Sequence, residues 1–118
     1  MMARVVLIVE DNWLVLNQMA EAFRKHRWLV LEARRGELAI DSLRKNRVDL
    51  LFTDIQLPGS MTGWDVAEAW RSTRPDGLVV YTSGGAVDRS RQVEGSLFFE
   101  KPYDPDVVVR ECQALLPD

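Results

Sequence analysis

The spacing of apolar positions changes period several times along the chain. Val5 to Val9 is an unbroken run that stops at Glu10-Asp11. Runs of this kind mark strands buried on both faces, as in a parallel sheet covered by helices. From Trp13 to Lys25 the period becomes helical, with Leu16, Met19, Ala20 and Phe23 on one face and Asn17, Glu21 and Arg24 turned to water. Trp28 to Leu31 predicts a second strand, and Ala39 and Leu43, with Leu38 and Ile40 beside them, a second helix that fades at Lys45-Asn46-Arg47. Val48 to Thr53, broken only by Asp49, runs into Asp54, and Pro58-Gly59 close the following loop. Gly63 precedes a helix with a Val66, Ala67, Trp70 stripe, which ends before Pro75-Asp76-Gly77. Leu78 to Thr82 and Leu97 to Phe99 are the remaining strands, followed by Ser83-Gly84-Gly85 and Lys101-Pro102. A last helix starts near Pro105, a residue tolerated in a first turn, and places Val108, Cys112 and Leu115 on one face. Between Asp88 and Val93 the apolar pattern is poor, so a helix there is expected to be short or irregular.

Strand and helix thus alternate with short connections and no linker or repeat. The pattern predicts one α/β domain over residues 1–118, a doubly wound five-stranded parallel sheet with helices on both faces. Composition narrows the chemistry. Of the 118 residues 47% are hydrophobic and 28% charged, a globular and not a disordered balance. Fifteen Lys and Arg against 18 acids leave a net charge of −3, and no basic block stands out, which disfavours direct nucleic-acid binding. Cys112 is the only cysteine and His26 the only histidine, which excludes an internal disulfide, a Cys/His zinc site and a metalloprotease His pair. No apolar run is long enough to span a membrane and no signal-peptide pattern opens the chain, so the expected address is the cytoplasm. The working groups must be carboxylates, hydroxyls, amines and backbone.

In a parallel sheet the ligand-bearing strand ends share one edge. Here the first strand ends in Glu10-Asp11, the third in Asp54, the fourth in Ser83 and the fifth in Lys101. Gathered carboxylates repel and raise one another's pKa unless a cation sits among them, and magnesium, a hard oxygen-seeking ion, suits such a set. Lys101 offers a second positive charge and Ser83 a hydroxyl. Each residue alone has an ordinary explanation: Asp11 as a helix cap, Ser83 as a turn, Lys101 as a surface lysine. Their joint placement favours a site for a metal and a phosphate.

Over nearly its whole length the sequence resembles a response-regulator receiver domain, with a flavodoxin-like fold. The resemblance rests on Glu10-Asp11 after the first strand, Asp54 with Pro58-Gly59 and Gly63 after the third, Ser83-Gly84 after the fourth and Lys101-Pro102 after the fifth. It implies Asp54 as phosphoacceptor, and Asp11, Glu10 and the Gln56 carbonyl as ligands of Mg2+ together with Asp54. It also implies Lys101 as the amine that pairs with phosphoryl oxygens, Ser83 as the switch hydroxyl in preference to Thr82, and Phe98 as the switch aromatic. The implied function is a phosphorylation-controlled switch in two-component signalling or a phosphorelay. Its donor would be a sensor histidine kinase or histidine phosphotransfer protein, and it would act on an unidentified downstream protein or as a homodimer. Such a domain is not an enzyme in the usual sense, since its phosphotransfer and autodephosphorylation are self-directed. His26, at the far end of the first helix with no acid beside it, is expected to be a plain surface or half-buried residue.

Departures from the family pattern are Glu10 in place of the commoner aspartate, a loop from Gly59 to Thr62 one residue longer than usual, and a Ser83–Lys101 segment a few residues short. The last puts the usual output and dimerisation face in question. Alternative readings are a phosphate-independent binding module on the same fold, a receiver cut from a larger regulator, and a small nucleotide-binding enzyme, for which no glycine-rich phosphate loop follows the first strand. Trp13 and Trp64 are expected to pack against loops, Trp28 and Trp70 to be structural, Val107 and Val109 to be partly exposed, and Cys112 to be a buried, inert thiol.

Overall fold

The computed structural model describes residues 3–116. Strands β1 (Val5–Val9), β2 (Leu29–Ala33), β3 (Leu50–Asp54), β4 (Leu78–Ser83) and β5 (Leu97–Glu100) alternate with helices α1 (Trp13–Lys25), α2 (Gly36–Lys45), α3 (Gly63–Thr73) and α4 (Pro105–Leu115). The strands are all parallel, in the order β2-β1-β3-β4-β5. This is the doubly wound α/β architecture that the alternation predicts.

The central strands are apolar on both sides because both sides are covered. Val6, Ile8, Phe52 and Val80 face α1 and α4, where they meet Met19, Phe23, Val108 and Cys112. Leu7, Val9, Leu51 and Val79 face α2 and α3, where they meet Ala39, Val66, Ala67 and Trp70. Phe23 forms the hub of the first core, with the rings of Trp28 and Phe52 edge-on at 5.2 and 6.2 Å. Trp28 therefore belongs to this core and precedes β2 instead of opening it.

Between β4 and β5 there is only one short 3-10 turn, Arg89–Arg91. The poor apolar pattern there left no stripe with which a full helix could bury itself. Two expectations for α4 are corrected. Val109 is buried beside Val108, while Leu115 is exposed, because the helix ends beyond the core and Leu116 packs inward in its place. Trp13 is also corrected: it stands 62% exposed, whereas Trp64 packs on the Tyr81 ring at 4.6 Å.

Helix ends are set by local chemistry. The Asn12 side chain accepts from the amides of Leu14 and Val15 and so starts α1 directly after the acid pair. Thr62 and Asp65 form a reciprocal capping box that starts α3. Gly63 is required by proximity: a Cβ there would collide with the Asp54 carbonyl and lie 2.9 Å from the Ile55 Cα. Its amide donates to the Ile55 carbonyl at 2.8 Å, which folds the loop after β3 back against the strand end.

Truncating the fully buried Phe52 to alanine is expected to cost about 3–5 kcal/mol in urea-induced unfolding. Leu38→Ala, at an exposed site on α2, should stay within about 0.5 kcal/mol of the unaltered protein in the same measurement.

Candidate functional site

All five strands run parallel, so their C-terminal ends lie along one edge, and the residues singled out in the sequence meet there. Glu10 follows β1 and is buried; Asp54, the last residue of β3, is nearly so; Asp11 is exposed at the rim. Oxygen atoms of these three carboxylates lie within 4.8 Å of one another. That all-oxygen donor set suits a hard divalent cation. Gln56 lies two residues beyond Asp54 in an exposed loop, at the same edge.

Lys101, just past β5, closes the site. Its Nζ donates to Glu10 Oε1 at 2.8 Å and to Asp54 Oδ2 at 3.1 Å. The longer side chain of Glu10, compared with an aspartate, carries its carboxylate into this buried ion pair. The second Glu10 oxygen accepts from the Asn12 amide at 3.0 Å, so one acid ties the start of α1 to the end of β5. The Lys101 amide donates to the Ser83 carbonyl at 2.9 Å, and the Lys101–Pro102 peptide is cis. Burial raises the pKa of Glu10 above the usual carboxylate range, against the opposing hydrogen bonds from Lys101 and Asn12. The Lys101 pKa is also raised: burial works against the ammonium, but the hydrogen bonds to Glu10 and Asp54 outweigh it.

Ser83 is buried at the end of β4, where its hydroxyl donates to the Gly85 carbonyl at 3.1 Å and accepts from the Gly85 amide at 3.3 Å. Thr82 points to the opposite side of the strand, onto the sheet face that carries Asp54, its partner in register. Phe98 pairs with Tyr81 in register and is half-buried against the α2/α3 core, while Phe99 faces the α1/α4 core.

Sequence reading missed four contributors: Asn12, which caps α1 and binds Glu10, and three arginines. Arg34 donates to the Asp11 carbonyl at 3.1 Å, bracing the loop that carries the acid pair. Arg89 stacks on the Phe98 ring, its guanidinium carbon 3.8 Å from the centroid. Arg91 reaches Asp65 Oδ1 at 2.8 Å and both oxygens of Glu68, at 2.6 and 3.0 Å. Only Asn12, a cap residue directly before an apolar-periodic segment, left a local signal. His26 is corrected in one respect, since Asp106 of α4 comes within 3.7 Å of its Nε2. It is half-buried on the α1–α4 side and has no place in the acidic cluster. Cys112 is buried and its thiol pKa is pushed up to about 12, consistent with an inert core residue.

Comparison with known proteins agrees with this geometry. The family profile described as the response regulator receiver domain matches residues 6–113. The chain is 27% identical over 121 residues to Sporulation initiation phosphotransferase F of Bacillus subtilis, covering 99% of this chain and 97% of that protein. It is 30% identical over 115 residues to the Probable transcriptional regulatory protein TcrX of Mycobacterium tuberculosis, covering 94% of this chain but 49% of that protein. A solved response regulator receiver protein from Sinorhizobium medicae superposes with a TM-score of 0.91 at 28% identity, covering 96% of this chain and 94% of the other. No helix among the described residues is long and apolar enough to cross a membrane.

Lys101→Met is expected to lower stability at pH 7 by about 1–3 kcal/mol, because Glu10 stays buried without its ammonium partner. The folded chain binds the Glu10 proton more tightly than the unfolded one. The stability of the variant should therefore rise as pH falls through the raised Glu10 pKa, narrowing the deficit. Urea midpoints across pH 5 to 8 would show a constant deficit if Glu10 were not the cause.

Proposed function

The chain belongs to the response regulator receiver family, and from that premise we propose that it is a phosphorylation-controlled switch whose phosphoacceptor is Asp54. The observation that carries this reading is the Asp54 carboxylate at a strand end, with Glu10 and Asp11 oxygens within 4.8 Å and the Lys101 amine at 3.1 Å. A nucleophile, a cation-holding acid pair and a fixed positive charge are what phosphoryl transfer to a carboxylate needs.

Asp11, Glu10, Asp54 and the Gln56 carbonyl would hold Mg2+. When bound, that ion neutralises charge on the phosphoryl oxygens and lowers the repulsion an incoming phosphate meets. An Asp54 oxygen attacks phosphorus as the P–N bond of a donor phosphohistidine breaks, the electron pair leaving with the imidazole nitrogen. The product is an acyl phosphate on Asp54. Lys101 is already within hydrogen-bond distance of Asp54 and exchanges a carboxylate oxygen for a phosphoryl oxygen. The added charge and acceptor oxygens draw on donors nearby, and Ser83 can supply one only by giving up its bond to the Gly85 carbonyl. Phosphorylation is thereby coupled to the turn after β4, with Phe98 following as the switch aromatic.

The donor is a sensor histidine kinase or a histidine phosphotransfer protein. A groove of about 360 Å³ beside Lys101, lined by Val15, Met19 and Tyr103 among others, and the exposed Trp13 and Leu14 on α1 offer that partner an apolar approach to the site. The chain acts on itself, and hydrolysis of the acyl phosphate resets it. Action in the cytoplasm accords with this role.

Incubation with Mg2+ and acetyl phosphate should add one phosphoryl mass to the unaltered protein and none to Asp54→Asn. Asp11→Ala should slow labelling by about tenfold or more, since a metal ion contributes several kcal/mol to charge stabilisation in such transfers. Absence of labelling with a donor that phosphorylates a control receiver would instead support a phosphate-independent binding module.

A further inference from the structure

The segment from Gly84 to Ser96 lacks a regular helix, yet it is tied down at several points. The Val93 amide donates to the Tyr81 hydroxyl at 3.2 Å. The Glu94 carbonyl accepts from Arg71 of α3 at 2.8 Å. Arg91 holds Asp65 and Glu68, also on α3. The 3-10 turn that ends at Arg91 begins with Arg89, whose guanidinium lies over Phe98 at 3.8 Å from the ring centroid. Glu100, two residues further along β5 on the same side, comes within 3.8 Å of Arg89 and helps aim it.

We infer that Arg89 is a positioning residue for Phe98: anchored by the Arg91 ties, it holds the ring in its resting rotamer until Asp54 is phosphorylated. The inference rests on the switch reading above. Ser83 and Gly84 join the end of β4 to this turn, so a Ser83 hydroxyl drawn towards a phosphoryl group pulls on the backbone that carries Arg89. Phe98 is only half-buried, and in the resting state the guanidinium covers its exposed face. A ring that rotates leaves that cation behind. The contact therefore favours the resting state alone, and a contact made in one state shifts the equilibrium towards that state. At an exposed site, a cation over an aromatic ring accounts for a population shift of about two- to fivefold.

The test uses beryllofluoride with Mg2+ as a stand-in for the acyl phosphate, with affinity read by calorimetric titration and the Phe98 ring signals by NMR. Arg89→Ala should bind beryllofluoride about two- to fivefold more tightly than the unaltered protein, with its resting ring signals moved part-way towards the bound position. Arg89→Lys keeps a cation over the ring and should return affinity towards the original value. In a Phe98→Leu background, Arg89→Ala should have no further effect, since the pair is already broken. Unchanged or weaker binding by Arg89→Ala, or an equal effect with and without the Phe98 ring, would overturn the inference while leaving the switch reading intact. Failure of the unaltered protein to bind beryllofluoride at all would overturn the switch reading, and the inference with it.

Discussion

A single ammonium group, that of Lys101, sits between two carboxylates that the sheet forces close together. Glu10 and Asp54 end neighbouring parallel strands, so their nearness follows from the register and is independent of any ligand. Glu10 has nowhere to go: water is excluded from it, and its remaining oxygen is committed to the backbone of α1. Lys101 makes this arrangement tolerable, and it comes from the far edge strand, β5. The site is thus assembled only when β1, β3, β4 and β5 are assembled. The reactive carboxylate is held nearly buried beside an ammonium group. That state is uncomfortable for folding and well suited to attack on phosphorus.

Much of this was legible in the linear chain. Unbroken apolar runs named the strands, and the polar residue ending each run named the site, because in a parallel sheet strand ends are the one location where such residues converge. The illegible contacts are those in which distant segments happen to meet. Arg91 and Asp65 are 26 positions apart, and Arg34 finds a backbone carbonyl 23 positions away. Nothing in the local pattern around these arginines distinguishes them from other surface cations. Leu115 and Trp13 failed for a related reason: periodicity assigns a face to a residue, but whether the core extends to that point depends on where neighbouring elements stop.

The short β4–β5 connection shows how the fold accommodates a lost helix. Elsewhere around the sheet an apolar stripe covers each crossover; here only Val87 and Val93 pack on the α2/α3 core, and polar ties from Arg71, Arg91 and the Tyr81 hydroxyl add to them. Directional bonds to specific partners supplement a reduced non-directional burial. The segment keeps a defined position, but a partner docking against it would meet charged side chains and exposed backbone where a helix face would otherwise stand.

Asp65 brings two parts of the molecule under common control. One of its oxygens completes the cap of α3 by accepting from the Thr62 amide, and the other accepts from Arg91 of the turn. Hydrogen bonds from Arg91, then from Thr62, hold its pKa below the usual carboxylate range. The first turn of α3 and the β4–β5 connection therefore share one charge, present above the ordinary carboxylate pKa and lost as pH falls through the depressed value. The Arg91–Asp65 pair thus joins, beside the bonds from Arg91 to Glu68, two elements that 26 positions of sequence and an entire strand separate.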